Sequence, residues 1–330
     1  MNMPRFVLRR SGAVLLAIAI LALAGCFPVG SNRAPVAGCE AFPREGYAPL
    51  SVRLDASGSY DPDGDALSYV WTLDDDTTLN GRTVTFEFAE GVHAVELTVM
   101  DSEGLIDRSA MTITARAVPD GYVVRRYEWT HDGEDLIWDA ILPYDLYQMY
   151  RGRPRIKYAD NYDYPAFVFD PLDDPSLEDY ATVLWNQAGG NEEAFIEGVL
   201  SFVQGAIAYQ ADPVGLEWPL YPLETMYDAV GDCEDTAILF VSLLRARDIP
   251  SKLAYVDTNG DRIPDHVLAL VPVSADFAGQ LACGGEDPNI LWMDEDHHAV
   301  AETAVDSGDL GLGCDPWDLE TEDVIEWWSF

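Results

Sequence analysis

The sequence predicts a multidomain chain: an all-β sandwich over residues 34–117, then a mixed α+β domain over residues 121–330 with its core at about 185–300. Three observations carry this prediction. Residues 34–117 alternate apolar and polar side chains with a period of two, between clusters of turn-forming residues. The texture changes at Gly121, and helix-period apolar runs appear at 191–210 and 233–247. Strand-like words then return at 251–257, 266–273 and 290–294.

Ahead of the sandwich, residues 1–26 read as a targeting segment. Arg5, Arg9 and Arg10 form a basic start, and residues 13–24 form an apolar run too short and too near the terminus to be read as a membrane span. The run ends in "LALAGC", and Leu-Ala-Gly-Cys resembles the bacterial lipobox. That resemblance implies lipidation of Cys26 and an extracytoplasmic protein held to a membrane by its lipid, the outer membrane if the host has one. Residues 27–33, "FPVGSNR", are then a tether.

Bulk composition narrows the partners. The chain has 330 residues, 48% of them hydrophobic and 11% aromatic, which fits folded domains and argues against disorder. Its 58 Asp and Glu against 19 Lys and Arg give a net charge of −39, which disfavours nucleic acid and anionic surfaces bound by charge.

The sandwich is written in the words "LSVRLDA", "ALSYVWTL", "TVTFEF" and "HAVELTVMD", separated by turns such as "SGSYDPDGD" and "DSEGL". Seven short strands in so short a segment make two packed sheets. The longer phrases "LDASGSYDPDGDALSYVWTLDDD" and "FEFAEGVHAVELTVMDSEGLIDRSAMTI" resemble the PKD domain, an immunoglobulin-like module of surface proteins. The resemblance implies a spacer, or a contact module for a surface polymer or protein. Asp55, Asp61, Asp63, Asp65 and Asp101 can gather at one end of such a sandwich and suit calcium, although Asp, Pro and Gly at this density also simply make turns.

In the second domain, residues 121–149 open strand-like and pass into a short helix, and Asn191 caps the amphipathic run that follows it. "GDCEDTAILFVSLLRAR" has the grammar of a helix, with Ala237, Phe240, Val241 and Leu244 on one face and Cys233 at the N-terminus. Unpaired backbone N–H groups there favour a thiolate, while the acids at 232, 234 and 235 oppose it, so the thiol needs a base close in space. His266 opens the strand 266–273, and Asp294 ends the strand 290–294. A cysteine, a histidine and an acid in these positions are what a nucleophilic thiol requires, the acid fixing the imidazole tautomer.

At these residues the phrase "YPLETMYDAVGDCEDTAILFVSLLRARDIPSKLAYVD" followed by "DHVLALV" and "WMD" resembles the transglutaminase-like superfamily. The resemblance implies a papain-like fold and a Cys-His-Asp triad with Cys233 as nucleophile, His266 as general base and Asp294 as orienting acid, Asp296 standing in reserve. It implies a cysteine hydrolase of peptide or amide bonds acting through a thioester, needing no cofactor, with a protein or peptide as substrate. Acyl transfer shares the same intermediate, and a non-catalytic surface-binding module is the competing reading.

Two further expectations concern ions and cysteines. "DTNGDRIPD" places Asp257, Asn259, Asp261 and Asp265 in a rhythm that resembles calcium loops, without the closing Glu of an EF-hand, and an ordinary acidic turn explains it equally well. Cys283 and Cys314 lie in Gly-rich surroundings and form a candidate disulfide, which leaves Cys39 without a partner. The C-terminal Trp327 and Trp328 are expected to dock on the domain.

Overall fold

The computed structural model describes residues 32–74, 76–155, 157–158, 161–213, 218–283, 287–304 and 310–330. The targeting segment, Cys26 and most of the tether lie outside the described residues. The chain divides into two compact units, one ending at Asp120 and the other resuming at Gly121.

The first unit is a two-sheet sandwich. Strands β1 (Glu40–Phe42), β3 (Leu50–Asp55) and β6 (Thr83–Phe88) form one sheet in the order β1-β3-β6. Strands β2 (Glu45–Tyr47), β4 (Ser68–Leu73), β5 (Thr78–Asn80), β7 (Gly91–Met100) and β8 (Ile106–Arg116) form the other, in the order β2-β8-β7-β4-β5. The period-two pattern has its physical meaning here. In β3, Leu50, Val52 and Leu54 are fully buried while Arg53 between them is exposed. Trp71 fills the centre, and its Nε1 donates to the Gly81 carbonyl at 3.0 Å, so the largest core ring leaves no polar atom unpaired.

The second unit begins with the hairpin of β9 (Tyr122–His131) and β10 (Glu134–Pro143). Its two-residue turn, Asp132-Gly133, has φ of +52° and +75°, the twist that tight hairpins favour. Then come α1 (Tyr144–Arg151), the short strands β11 (Lys157–Tyr158) and β12 (Asn161–Tyr162), α2 (Pro165–Val168), α3 (Asp174–Gln187) and α4 (Glu192–Ala206). The Asn191 side chain caps α4 by accepting from the Ala194 N–H. Trp129 of β9 presses against α4 so closely that a Cβ on Gly205 would lie 2.9 Å from the Trp129 Cβ.

The last third builds the site. Strands β13 (Ala208–Tyr209) and β14 (Val230–Gly231) pair in parallel around α5 (Pro222–Asp228), and α6 (Cys233–Arg245) follows at once. The sequence suggests one apolar face for α6, but every residue from Glu234 to Leu244 is buried, because β16 and several helices enclose it. Next come β15 (Lys252–Val256), β16 (His266–Pro272), α7 (Ala275–Ala278), β17 (Ile290–Met293), β18 (Asp296–Ala301) and β19 (Val324–Ser329). The five longer strands make an antiparallel sheet in the order β17-β18-β16-β15-β19. The C-terminal segment with Trp327 and Trp328 is therefore an edge strand of this sheet, paired with β15. Cys283 and Cys314 are disulfide-bonded, and Cys39 and Cys233 are free. No helix among the described residues is long and apolar enough to cross a membrane.

Candidate active site

Cys233 is the first residue of α6. Gly231 and Asp232 carry the chain from β14 into the helix without room to spare, since a Cβ on Gly231 would meet the Asp235 Cβ at 2.7 Å. Asp235 locks the same turn: its Oδ2 accepts from the Asp232 N–H at 3.3 Å and its Oδ1 from the Leu220 N–H at 2.6 Å. Cys233 as a residue is partly exposed. Its Sγ donates to Glu234 Oε2 at 3.3 Å. Burial pushes the thiol well above its ordinary range, the Glu234 carboxylate pushes it further, and the Val267 N–H only partly opposes them. The helix N-terminus alone does not make this thiol a thiolate.

His266 is the residue before Val267, so β16 brings the imidazole to the end of α6. Its Nε2 lies 2.8 Å from Oε2 of Glu302, whose side chain is only 1% exposed. Glu302 follows directly on β18, the strand paired with β16. Its second oxygen, Oε1, accepts from the Ala304 N–H at 2.7 Å, and its backbone carbonyl accepts from Gln204 Nε2 of α4 at 2.6 Å. Thr303 next to it shares a 3.0 Å hydroxyl contact with Thr236 of α6. Trp317 lies against the imidazole with ring centroids 4.5 Å apart. The tautomer in which Nε2 donates to the buried carboxylate leaves the lone pair on Nδ1, the nitrogen that can then accept a proton.

The acid predicted for this role stands elsewhere. Asp294 and Glu295 form the two-residue turn between β17 and β18, with φ of +51° and +66°. Asp294 Oδ2 accepts from Lys252 Nζ at 2.7 Å and from Trp327 Nε1 at 3.2 Å. Lys252 starts β15, whereas His266 is in register with Val256 at its other end. Four residues of strand separate the two positions, about 13 Å. Asp296 opens β18 at the far end too, beyond the His298–Pro272 pair. Both expectations are therefore corrected: β18 turns back along the sheet and delivers Glu302, not Asp294 or Asp296, to the histidine. The signal for Glu302 was an acid closing the apolar word "HHAVAET".

The residues considered for calcium fall into two situations. Asp257 spends its oxygens on the N–H groups of Asn259, Gly260 and Arg262, and Asp265 on Thr258 and Asn259. Asp261 Oδ1 accepts from the Ile263 N–H, and Asn259 Oδ1 from the Asp261 N–H. This is a loop held by its own turns. In the sandwich, Asp55 pairs with Arg53 and Asp63 with Arg33, while Asp61, Asp65 and Asp101 converge, with ligand-capable oxygens within 4.8 Å of one another.

With this geometry in hand, comparison with known proteins is direct. Residues 32–115 match the PKD domain, and residues 185–309 match the transglutaminase-like superfamily. The chain thus carries an all-β PKD domain followed by a mixed α/β transglutaminase-like domain. No curated protein matches it. Among solved structures, the PKD1 domain of Vibrio anguillarum Epp is 27% identical, spanning 26% of this chain and 99% of that one with a TM-score of 0.23. The PKD1 domain of the Vibrio cholerae metalloprotease PrtV is 30% identical over 26% of this chain and 99% of that one, with a TM-score of 0.22. A provisionally assigned protease from Parabacteroides distasonis is 13% identical, over 81% of this chain and 70% of that one, with a TM-score of 0.27.

Proposed function

We propose that the second domain is a cysteine hydrolase of peptide or amide bonds, with Cys233 as nucleophile, His266 as general base and Glu302 as the group that orients it. The observation that carries this reading is the buried Glu302 carboxylate on His266 Nε2, with Thr303 beside it in contact with Thr236 of the helix that Cys233 opens. A buried acid on a half-buried imidazole serves little purpose in a passive sheet, where an apolar pair would pack as well.

The reaction would run as follows. The thiol passes its proton to Nδ1 while the sulfur attacks the amide carbonyl, and the Cys233 N–H at the helix start supports the oxyanion. The C–N bond breaks, and the leaving amine takes the proton from the imidazolium. Water then attacks the thioester with its proton going to Nδ1, which releases the acid and the free thiol. Because the resting thiol is held protonated by burial and Glu234, thiolate forms only as imidazolium forms beside it. An amine in place of water would give cross-linking from the same acyl-enzyme.

The wider reading is a lipid-anchored extracytoplasmic enzyme, tethered through Cys26, acting on a protein or peptide, with the PKD domain as spacer or contact module. The test is to incubate the mature chain with a panel of unstructured peptides and glutamine amides, with and without a primary amine. Intact-mass detection of a Cys233 thioester and of released acid supports the reading, and amine incorporation turns it to transfer. No adduct and no turnover with any substrate, alike in wild type and Cys233→Ala, leaves a surface-binding module.

A further inference from the structure

Beyond β18 the chain returns to the histidine as a strap. The Leu310 carbonyl accepts from Gln204 Nε2 at 3.0 Å, and the same Nε2 holds the Glu302 carbonyl. The Gly313 N–H donates to the Val300 carbonyl of β18 at 2.7 Å, and the Gly313 carbonyl accepts from the Asn289 N–H, also at 2.7 Å. Cys314 is bonded to Cys283, 31 residues back, so the loop they close carries β17, β18 and Glu302. Asp315 then makes a turn. Its Oδ1 accepts from the Trp317 N–H at 2.9 Å, and its Oδ2 from the Leu319 N–H at 2.6 Å and from Asn289 Nδ2 at 2.7 Å. Leu319 ends the strap, buried with Val256, Leu268 and Val300 of the sheet.

Trp317 does not share the burial of its neighbours. It is 36% exposed, while Leu312, Cys314 and Leu319 around it are buried. Those three and Asp315 fasten the strap, which therefore does not need the indole as an anchor. The indole lies instead against the His266 imidazole, with centroids 4.5 Å apart and planes tilted by 54°. Glu302 holds that imidazole at Nε2 alone. A ring hydrogen-bonded at one nitrogen can still swing about the contact, and an aromatic surface against it removes the swing. The indole also attracts an imidazolium more strongly than a neutral ring, through its quadrupole. Both effects favour passage of the thiol proton to the histidine. The strap lies beyond residues 185–309, so the match to the superfamily does not account for it.

We propose that Trp317 is a positioning residue for His266, and that the Cys283–Cys314 disulfide is the clamp that makes it one. This rests on the reading of His266 as the base for Cys233. Trp317 acts through the imidazole and touches none of the reacting atoms. The disulfide stands three residues from the indole and ties the strap to the same loop that carries Glu302. Acid and indole are thus fixed to one covalently closed unit on two sides of one ring, and closure of a loop leaves its members few other positions. Without the bond the strap keeps its hydrogen bonds but loses its covalent tie, and the indole is free to leave the imidazole. The base is then fully in place only in the oxidised chain.

The experiment measures alkylation of Cys233 by iodoacetamide against pH, read by mass on the peptide that contains it. The variants are Trp317→Ala, Trp317→Phe, a disulfide-free chain with Cys283→Ala and Cys314→Ala, that chain with Trp317→Ala added, and His266→Ala. Trp317→Ala is expected to slow the reaction at neutral pH by about three- to tenfold and to move the profile to higher pH, while Trp317→Phe stays within about twofold of wild type. The disulfide-free chain is slowed to the same degree, and adding Trp317→Ala slows it no further. A tryptophan that merely packed would not move the pH profile. The exposed Trp317 is no anchor, so its variants carry the result if the disulfide-free chain does not fold. If Trp317→Ala reacts like wild type while His266→Ala is slow, the proposal is overturned and the base assignment stands. If His266→Ala reacts like wild type, both fall. A disulfide-free chain that reacts like wild type, or that Trp317→Ala still slows in full, overturns the clamp.

Discussion

The two ends of the five-stranded sheet each hold an acid against a base, and they use the pair differently. At one end Lys252, which also donates to Ser329 Oγ, meets Asp294, whose side chain is 50% exposed. At the other His266 meets Glu302, which is 1% exposed. The first pair joins a permanent cation to a solvated carboxylate, and Lys252 pulls that carboxyl below its usual range. Water screens such a contact, and its net worth is small. The second pair sets a titratable ring against a carboxylate that water does not reach, held by the Ala304 N–H while Gln204 holds the residue's backbone carbonyl. The first contact fastens a strand edge, and the second fixes the direction and tautomer of a base. Burial of the acid and the kind of base it meets decide which role a contact plays.

This contrast extends to the acids elsewhere in the domain, and substitutions can break it in order of size. The largest effect is expected at Asp173, a fully buried acid with no hydrogen bond to either side-chain oxygen. Burial first, then Asp170, raises it to about 8 from 3.8. Below about pH 4 folded and unfolded chains both hold this proton, and the group contributes nothing. Between pH 4 and 8 the unfolded chain ionises while the folded one does not, so stability declines as pH rises. Above pH 8 the cost is complete, on the order of 5 kcal/mol. Denaturant titrations across this range should show Asp173→Asn losing that slope and exceeding the wild type at pH 8.

Next in size is Glu224, sealed against Arg155 at 2.5 Å with both side chains buried. Arg155 also lies over the Trp218 and Tyr221 rings at 4.9 and 5.1 Å. Glu224→Ala strands a buried guanidinium and should cost about 3–5 kcal/mol in equilibrium unfolding. Glu302→Gln keeps the shape of its side chain but removes the charge that supports an imidazolium. It should lower turnover by about 10²–10⁴-fold with little change in substrate binding, read as kcat against KM. Smallest is Asp294→Asn, which should cost under about 1 kcal/mol and leave turnover within about twofold.

Much of this was legible in the chain. Period-two strands of the sandwich, the Asn191 cap, and the glycine–acid–cysteine entry to α6 are local signals, and local physics reproduces them. What escaped was set by pairing at long range. The turn between β17 and β18 uses Asp294 and Glu295 in the left-handed region, where an Asn-Gly or Asp-Gly would have announced it. Strand β18 then runs buried from His298 to Ala301 without alternation, so it carried no strand signature of its own. With that strand missed, the nearest acid, Asp294, was placed against His266, where Glu302 stands. Helix α3 and the pairing of β19 with β15 were likewise not read, the second because an edge strand finds its partner some seventy residues away in the chain.

The most direct measurement is the rate of Cys233 alkylation by iodoacetamide against pH, in wild type, His266→Ala, Glu302→Gln and Asp294→Asn. Wild type and Asp294→Asn should react alike at neutral pH. His266→Ala and Glu302→Gln should react at least about tenfold more slowly there and recover only as the pH approaches the range of a buried, unassisted thiol. If Asp294→Asn slows the reaction and Glu302→Gln does not, the acid is misassigned. If all four proteins react alike, no base serves Cys233, and the account of the site fails.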